Sequence, residues 1–281
     1  MKVKKKWAGY SKSTAKFMLL LVLTLIIWLP IIVVVFTSFK YRSEIFTLNP
    51  SIFPKTMNLE NYSRLLKLTD FNVYLRNSFV VAGFTSAISL LVASLAAYAL
   101  VWMEFKGKRG FIGLILLGYI FPQILLVIPL FLMCFSLHLL DTKLALVLTY
   151  LSFILPFAVW TLRNYFQSIS SDLVDAGLID GCNYFQCLVR VVLPVCLPVL
   201  ATVLTYSFVL AWDEYMFANI LIQSDINRTV AIGVQAIVGS HATDYGLLTA
   251  ASVLMILPVI IFFILVQRFF IDNLMQGSVK D

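Results

Sequence analysis

Six long stretches of this chain contain no Asp, Glu, Lys or Arg: residues 17–39, 77–103, 110–140, 144–162, 191–212 and 245–267. Such runs constrain the fold more than any motif does. An α-helix needs roughly 20 apolar residues to cross about 30 Å of hydrocarbon. In lipid the backbone must satisfy its own hydrogen bonds, so each run reads as a helix. A membrane barrel would show short segments of alternating polarity instead. With 61% hydrophobic and only 12% charged residues, the composition excludes a water-soluble domain. The expectation is an all-α polytopic membrane protein with six transmembrane helices.

Lys2, Lys4, Lys5, Lys6, Lys12 and Lys16 precede the first run. The arrangement has the look of a secretory signal, but the uncharged stretch to Phe39 exceeds a signal core and no A-x-A site follows. It is read as an uncleaved first helix. Lys and Arg asymmetry then sets the orientation. With both termini cytoplasmic, 13 of the 21 basic residues fall inside and 8 outside. Six of those 8 lie in the long 40–76 loop, where they mix with Glu44, Glu60 and Asp70 and count for less. The compact Lys106, Lys108, Arg109 turn therefore faces the cytoplasm. The net charge of +7 is a topology signal, and no aromatic-interleaved basic patch points to nucleic acid.

Chemistry is not visible in the residues. His138 and His241 stand far apart, and Cys134, Cys182, Cys187 and Cys196 lack metal-ligand spacing. No Gly-x₄-Gly-Lys-Ser/Thr occurs, so the chain holds no phosphate cradle of that kind. The expectation is no catalytic residue, no metal and no cofactor on this chain. Energy for uphill movement of a solute must come from a partner or an ion gradient.

Between the fourth and fifth apolar runs lies a polar segment, residues 170–181, containing Asp172, Asp175 and Asp180. Ser171 or Asp172 can cap a short helix there, and early carboxylates complement the positive end of its dipole. Asp175, Ala176 and Asp180 fall on overlapping faces. Small Ala176 and Gly177 would let the helix sit in a partner's groove, and Gly181 permits a sharp exit. Pro194 and Pro198 follow and fix how the fifth helix enters the bilayer.

This segment resembles the EAA loop of ABC importer permeases, which runs Glu-Ala-Ala, two free positions, Asp-Gly-Ala and a later Leu-Pro. Ala176, Asp180, Gly181, Leu193 and Pro194 match; Asp175 stands for the Glu, while Gly177 and Cys182 replace two alanines. Ser170 stands where many members have Pro. Asn77-Ser78, the Ala96 to Leu100 run and the Phe105 to Lys108 turn resemble the carbohydrate branch, the maltose and glycerol-phosphate type. The ending, Gln267-Arg268-Phe269 through Lys280, also resembles that branch.

The resemblance implies a type I ABC importer fold and a permease subunit in a bacterial-type cytoplasmic membrane. Asp172, Asp175, Ala176, Gly177, Asp180 and Gly181 would form the coupling helix, seated in a cleft of an ATPase subunit. The implied partners are a second permease, two ATPase subunits or domains carrying ATP and Mg, and an extracytoplasmic sugar-binding protein. On the same grounds residues 1–71 form a tail, first helix and external loop. Residues 72–270 form the permease core, and 271–281 a cytoplasmic tail that either touches the ATPases or frays.

Three further features stay open at this level. Pro122 and Pro129, with Gln123 beside the first, either kink the third helix or break it to line a pathway. Residues 58–66 suit a short amphipathic helix, lying on the membrane or forming a rim for a docking partner. Trp212-Asp213-Glu214-Tyr215 resembles the family's Trp-Asn-Glu-Phe. Roughly 22 Å beyond Pro198, at 1.5 Å per residue, it lines the pathway or anchors the helix at the headgroups. Two rival readings are a permease for another solute class and an ion-coupled carrier, which would have to rely on Asp213 and Glu214.

Overall fold

The computed structural model describes residues 2–47, 49, 51–239, 243–267 and 269, with side chains from Lys16 onward. His241, Arg268 and the 271–281 tail lie outside the described residues. Every regular element among the described residues is helical. The chain divides into two compact units, Met1–Thr69 with Ala236–Leu254, and Asp70–Gln235 with Met255–Asp281.

In the first unit, helix α1 spans Lys2–Ser38, and the most apolar 18 residues of its stretch from Lys16 bury none of their side chains within the chain. That suits a helix whose solvent is lipid. The amphipathic pattern after Asn58 becomes helix α2, Glu60–Leu68. Leu65 is fully buried, while Leu59 and Leu66 are exposed. Buried Asn61 anchors α2 by donating to the Ser38 carbonyl at 2.9 Å and the Lys40 carbonyl at 2.8 Å. The Tyr62 and Ser38 hydroxyls meet at 2.7 Å. These bonds satisfy carbonyls left orphaned where α1 ends.

The second unit is built on α3 (Phe71–Trp102), α6 (Lys143–Phe166) and the later α8 (Leu197–Asp213), which pack on one another. Small residues make this possible: Ala82, Ser86, Ser89, Ala93, Ser94 and Ala97 of α3 are all buried. In lipid, where hydrophobicity does not hold helices together, close backbone approach does. A cross-helix bond, Ser89 to Ser207 at 2.9 Å, adds to it. At the end of α3, Tyr98, Trp102 and Phe166 of α6 form an aromatic cluster with centroids 5.0 and 5.7 Å apart.

Among the described residues, four helices are unbroken and long enough to span a membrane: Lys16–Ser38 within α1, α3, α6 and the final helix Tyr245–Val266. The third and fifth apolar runs are sharply bent rather than continuous. Helix α4 (Lys108–Ile120) stops before Pro122, and the chain turns by 101° into Gln123–Ser136, whose α-helical part is α5 (Val127–Ser136). The stretch Tyr184–Val195 meets α8 at 87°. Counting each bent pair as one span gives six. Prolines account for both breaks, because Pro122, Pro194 and Pro198 cannot supply the N–H that continues an α-helical ladder. Residues Leu188–Val192 just before Pro194 adopt a π-helical turn.

Candidate functional site

The polar segment after α6 forms helix α7, Ser171–Ile179. Its cap is Ser170 rather than Ser171 or Asp172. Ser170 is extended (φ −61°, ψ 132°), its hydroxyl accepts from the Asp172 N–H at 3.3 Å and it donates to the Asp172 carboxylate at 3.1 Å. The backbone turns helical earlier than the sequence alone suggests, already at Ser171, so the hydroxyl placed to reach forward to the first free N–H groups is that of Ser170. At the other end Gly181 takes φ +89°, a left-handed conformation costly for other residues. The Cys182 N–H reaches the Gly177 carbonyl at 3.0 Å and the Gly181 N–H the Leu178 carbonyl at 3.1 Å. This paired closure satisfies the last carbonyls and terminates the helix sharply.

Helix α7 has two distinct faces. Val174 and Gly177 are buried, whereas Asp172, Asp175, Ala176, Ile179 and Asp180 are exposed. The exposed set recurs at three- and four-residue intervals and so forms one stripe. None of its carboxylates forms an ion pair among the described residues. Ile179, 86% exposed, was not singled out from sequence; its position four residues after Asp175 was the available signal.

Gly177 corrects an expectation. It does not face outward with Ala176. A Cβ there would stand 3.1 Å from Cys187 Sγ and 3.4 Å from Val191 Cγ2, so the glycine presses α7 onto its own following segment. That segment starts with a reciprocal cap, in which the Gln186 N–H donates to Asn183 Oδ1 at 2.8 Å and the Asn183 N–H to Gln186 Oε1 at 3.0 Å. Buried Val174, Cys187, Leu188 and Val192 join the cluster around Tyr98 and Phe166. Helix α7 and the segment leading to α8 are thus packed as one body.

At the far end of α8 lies a cavity of about 830 Å³, open on one side. Its wall includes Gln123 from the first break, Thr202, Thr205 and Tyr206 of α8, and Asp213 and Glu214. No Lys or Arg lines it among the described residues. The two carboxylates differ. Glu214 Oε1 accepts from the Phe217 N–H at 2.8 Å and Oε2 from the Ala218 N–H at 3.0 Å, so both oxygens cap helix α9, Met216–Leu221. Asp213 is exposed, and its carboxylate has no hydrogen bond or ion pair among the described residues. Trp212, grouped with them by sequence, does not line this cavity. It is 1% exposed, donates from Nε1 to the Met255 carbonyl at 3.1 Å and packs on Phe79 and Phe208. One helical position separates it from Asp213, which rotates it to the bundle side.

Residues 89–274, which hold both α7 and the cavity, match the family of binding-protein-dependent transport system inner membrane components. The chain belongs to that family. This permease is 35% identical over 264 residues, 93% of either chain, to the inner membrane ABC transporter permease protein YcjP of Escherichia coli. It is 34% identical to the sulfoquinovosyl glycerol transport system permease protein of Agrobacterium fabrum, covering 89% of this chain and 88% of that one. It is 35% identical to the trehalose/maltose transport system permease protein of Thermococcus litoralis, covering 79% and 81%. Among solved structures, the permease resembles a chain of a bacterial ABC transporter involved in alginate import. The TM-score is 0.81 at 24% identity, with 92% of this chain and 96% of that one covered. The likeness carries the fold, a helical ABC importer permease with its broken spans.

Proposed function

We propose that this permease is one membrane subunit of an ATP-driven importer that takes a carbohydrate from an extracytoplasmic binding protein. The observation carrying this reading is that relatives at 30–35% identity across most of the chain are permeases of trehalose/maltose, arabinooligosaccharide and diacetylchitobiose systems. The related alginate transporter has been crystallised with a pentasaccharide-bound periplasmic protein. By the same reading a second permease completes the membrane assembly, and ATP and Mg are bound by separate ATPase subunits. The basic-residue count supports an orientation with both termini and α7 in the cytoplasm.

The geometry supplies a lever. The exposed stripe of Asp172, Asp175, Ala176, Ile179 and Asp180 offers unpaired carboxylates around one large apolar side chain, which fits a partner cleft with basic walls. A push on α7 cannot be absorbed locally, because Gly177 already abuts Cys187 and Val191. It passes into Tyr184–Val195 and reaches α8 at the 87° bend, whose far end carries the cavity wall. Two rigid pieces joined at a bend are what alternating access requires.

The test is uptake in proteoliposomes holding the complex purified through this chain, with its binding protein and a panel of maltose, trehalose, arabinotriose and diacetylchitobiose. Uptake that requires ATP and ignores an ionophore is expected. Uptake abolished by the ionophore and indifferent to ATP would overturn the reading.

A further inference from the structure

The two carboxylates at the end of α8 divide their roles, and the division bears on which solutes enter. Glu214 has both oxygens engaged by backbone N–H groups of α9, so its charge is already solvated by peptide dipoles. Asp213, next to it, has no such partner among the described residues and borders the same cavity. The other polar groups in the wall are neutral: Gln123, Thr202, Thr205, Tyr206 and Tyr215. The threonine hydroxyls donate to their own helix, Thr202 to the Pro198 carbonyl at 3.0 Å and Thr205 to the Ala201 carbonyl at 2.7 Å. Among the described residues, Asp213 is therefore the one full charge in the wall that no backbone cap offsets, and no basic residue on this wall balances it.

We propose that Asp213 is a charge-selecting residue: its carboxylate makes the cavity favour neutral or cationic sugars and reject anionic ones such as uronates and sulfonated sugars. This rests on the importer reading and narrows its substrate class. The narrowing has content, because the relatives include a permease for sulfoquinovosyl glycerol and the related structure imports acidic alginate. A carboxylate in a cavity with apolar walls acts over a reduced dielectric, so its field discriminates between probes of opposite sign more strongly than it would in bulk water. Its oxygens also accept hydrogen bonds from sugar hydroxyls, and these charge-assisted bonds are stronger than neutral ones.

The experiment reads that field without transport. In the full complex carrying Cys182→Ser (Cys134, Cys187 and Cys196 being buried), a reporter cysteine replaces Val209, one helical turn from Asp213 on the cavity wall. A second reporter replaces Thr202, about 16 Å along the helix and beyond the Debye length at physiological salt. Each is reacted with a cationic and an anionic methanethiosulfonate of matched size. The cationic-to-anionic rate ratio at Val209→Cys is expected to exceed that at Thr202→Cys by about tenfold. Asp213→Asn should collapse the excess, and Asp213→Glu should keep most of it. Equal ratios at the two sites, or an excess that Asp213→Asn leaves unchanged, would overturn the proposal, as would absence of labelling at Val209→Cys. Those results mean that a partner's cation neutralises the carboxylate or that an interface covers it. Since no sugar or ATP enters the measurement, its failure is distinguishable from failure of the importer reading.

Discussion

Arg64 Nη2 lies 2.8 Å from Asp244 Oδ2, joining residues 180 positions apart in sequence. Both side chains are largely shielded, with 29% and 14% exposure. The other Asp244 oxygen accepts from the Gly246 and Leu247 N–H groups at 3.1 and 3.2 Å, capping the final helix. A Cβ on Gly246 would collide with Asn61 Oδ1, so α2 and the start of that helix meet side chain to backbone. One carboxylate thus closes a helix start and ties it to α2.

Asp244→Asn should lower the stability of the purified permease at neutral pH by about 1 kcal/mol, the scale of a partly shielded ion pair. Burial pushes the Asp244 carboxyl up, but the Arg64 guanidinium and the Leu247 N–H outweigh it and hold it below the usual carboxylate range. A depressed folded value means the contribution is complete above the unfolded pKa and is lost as pH falls through the folded one. Thermal midpoints of the two proteins should therefore differ at pH 7 and converge at strongly acidic pH. A difference that persists there would show that capping, rather than charge, supplies the effect.

Asp141 performs a comparable task in the loop between α5 and α6. Its Oδ1 accepts from the Gln223 and Ser224 N–H groups at 3.1 and 3.0 Å, while its own carbonyl accepts from Asn227 at 2.6 Å. It does so at φ +59°, where Asp and Asn are tolerated better than most residues. Asp141→Ala should cost about 1–2 kcal/mol and speed amide exchange at Gln223 and Ser224. Asp141→Asn keeps an acceptor oxygen and the backbone tolerance, so exchange there should stay close to wild type. If both variants exchange alike, the side-chain acceptor is not what holds the loop.

The spans, the helix between the fourth and fifth of them and the chain-breaking prolines were all legible in the sequence. Each follows from local composition: charge gaps, a capped acidic stretch, missing N–H groups. Facing was not legible. Gly177 and Ala176 are equally small, and only the fold shows that Gly177 touches Cys187 while Ala176 stays outside. Trp212 and Asp213 are neighbours that the helix sends to opposite sides. Arg64 with Asp244, and Asp141 with Gln223 and Ser224, pair across long stretches of chain with no periodicity to announce them. Pro122 left a kink or a break open and Pro198 marked only the entry of the fifth helix, because the size of such bends, 101° and 87° here, depends on what packs on either side.

Gly177→Val should separate α7 from the segment that follows. A first extra carbon already meets Cys187 Sγ at 3.1 Å, and a branched side chain has nowhere to go without moving one helix. Overpacking of this kind costs about 1–3 kcal/mol. Under the lever reading, ATP hydrolysis should continue while solute-stimulated uptake falls. The smaller change Gly177→Ala should show a milder defect that Cys187→Ala relieves, since removing Sγ opens the space the new methyl needs. Failure of Cys187→Ala to rescue would place the defect elsewhere than at this contact.

Asp175→Lys tests the outer face of the same helix. Asp175 is exposed and unpaired among the described residues, so the change carries no packing cost within the chain. The permease should reach the membrane at normal yield and its helices should remain intact. In a cleft with basic walls, however, a like charge replaces an opposite one, which costs several kcal/mol of association. The ATPase subunit should therefore be lost when the complex is purified through this chain. Asp175→Glu preserves the charge and should retain it. Glu104→Lys is the control, since the Glu104 side chain is 91% exposed and lies on the basic turn between α3 and α4 rather than on α7. If Asp175→Lys co-purifies the ATPase and supports normal uptake, α7 is not the surface on which the ATPase pushes. Loss of the ATPase from Glu104→Lys as well would point to general charge repulsion rather than to a seat for α7.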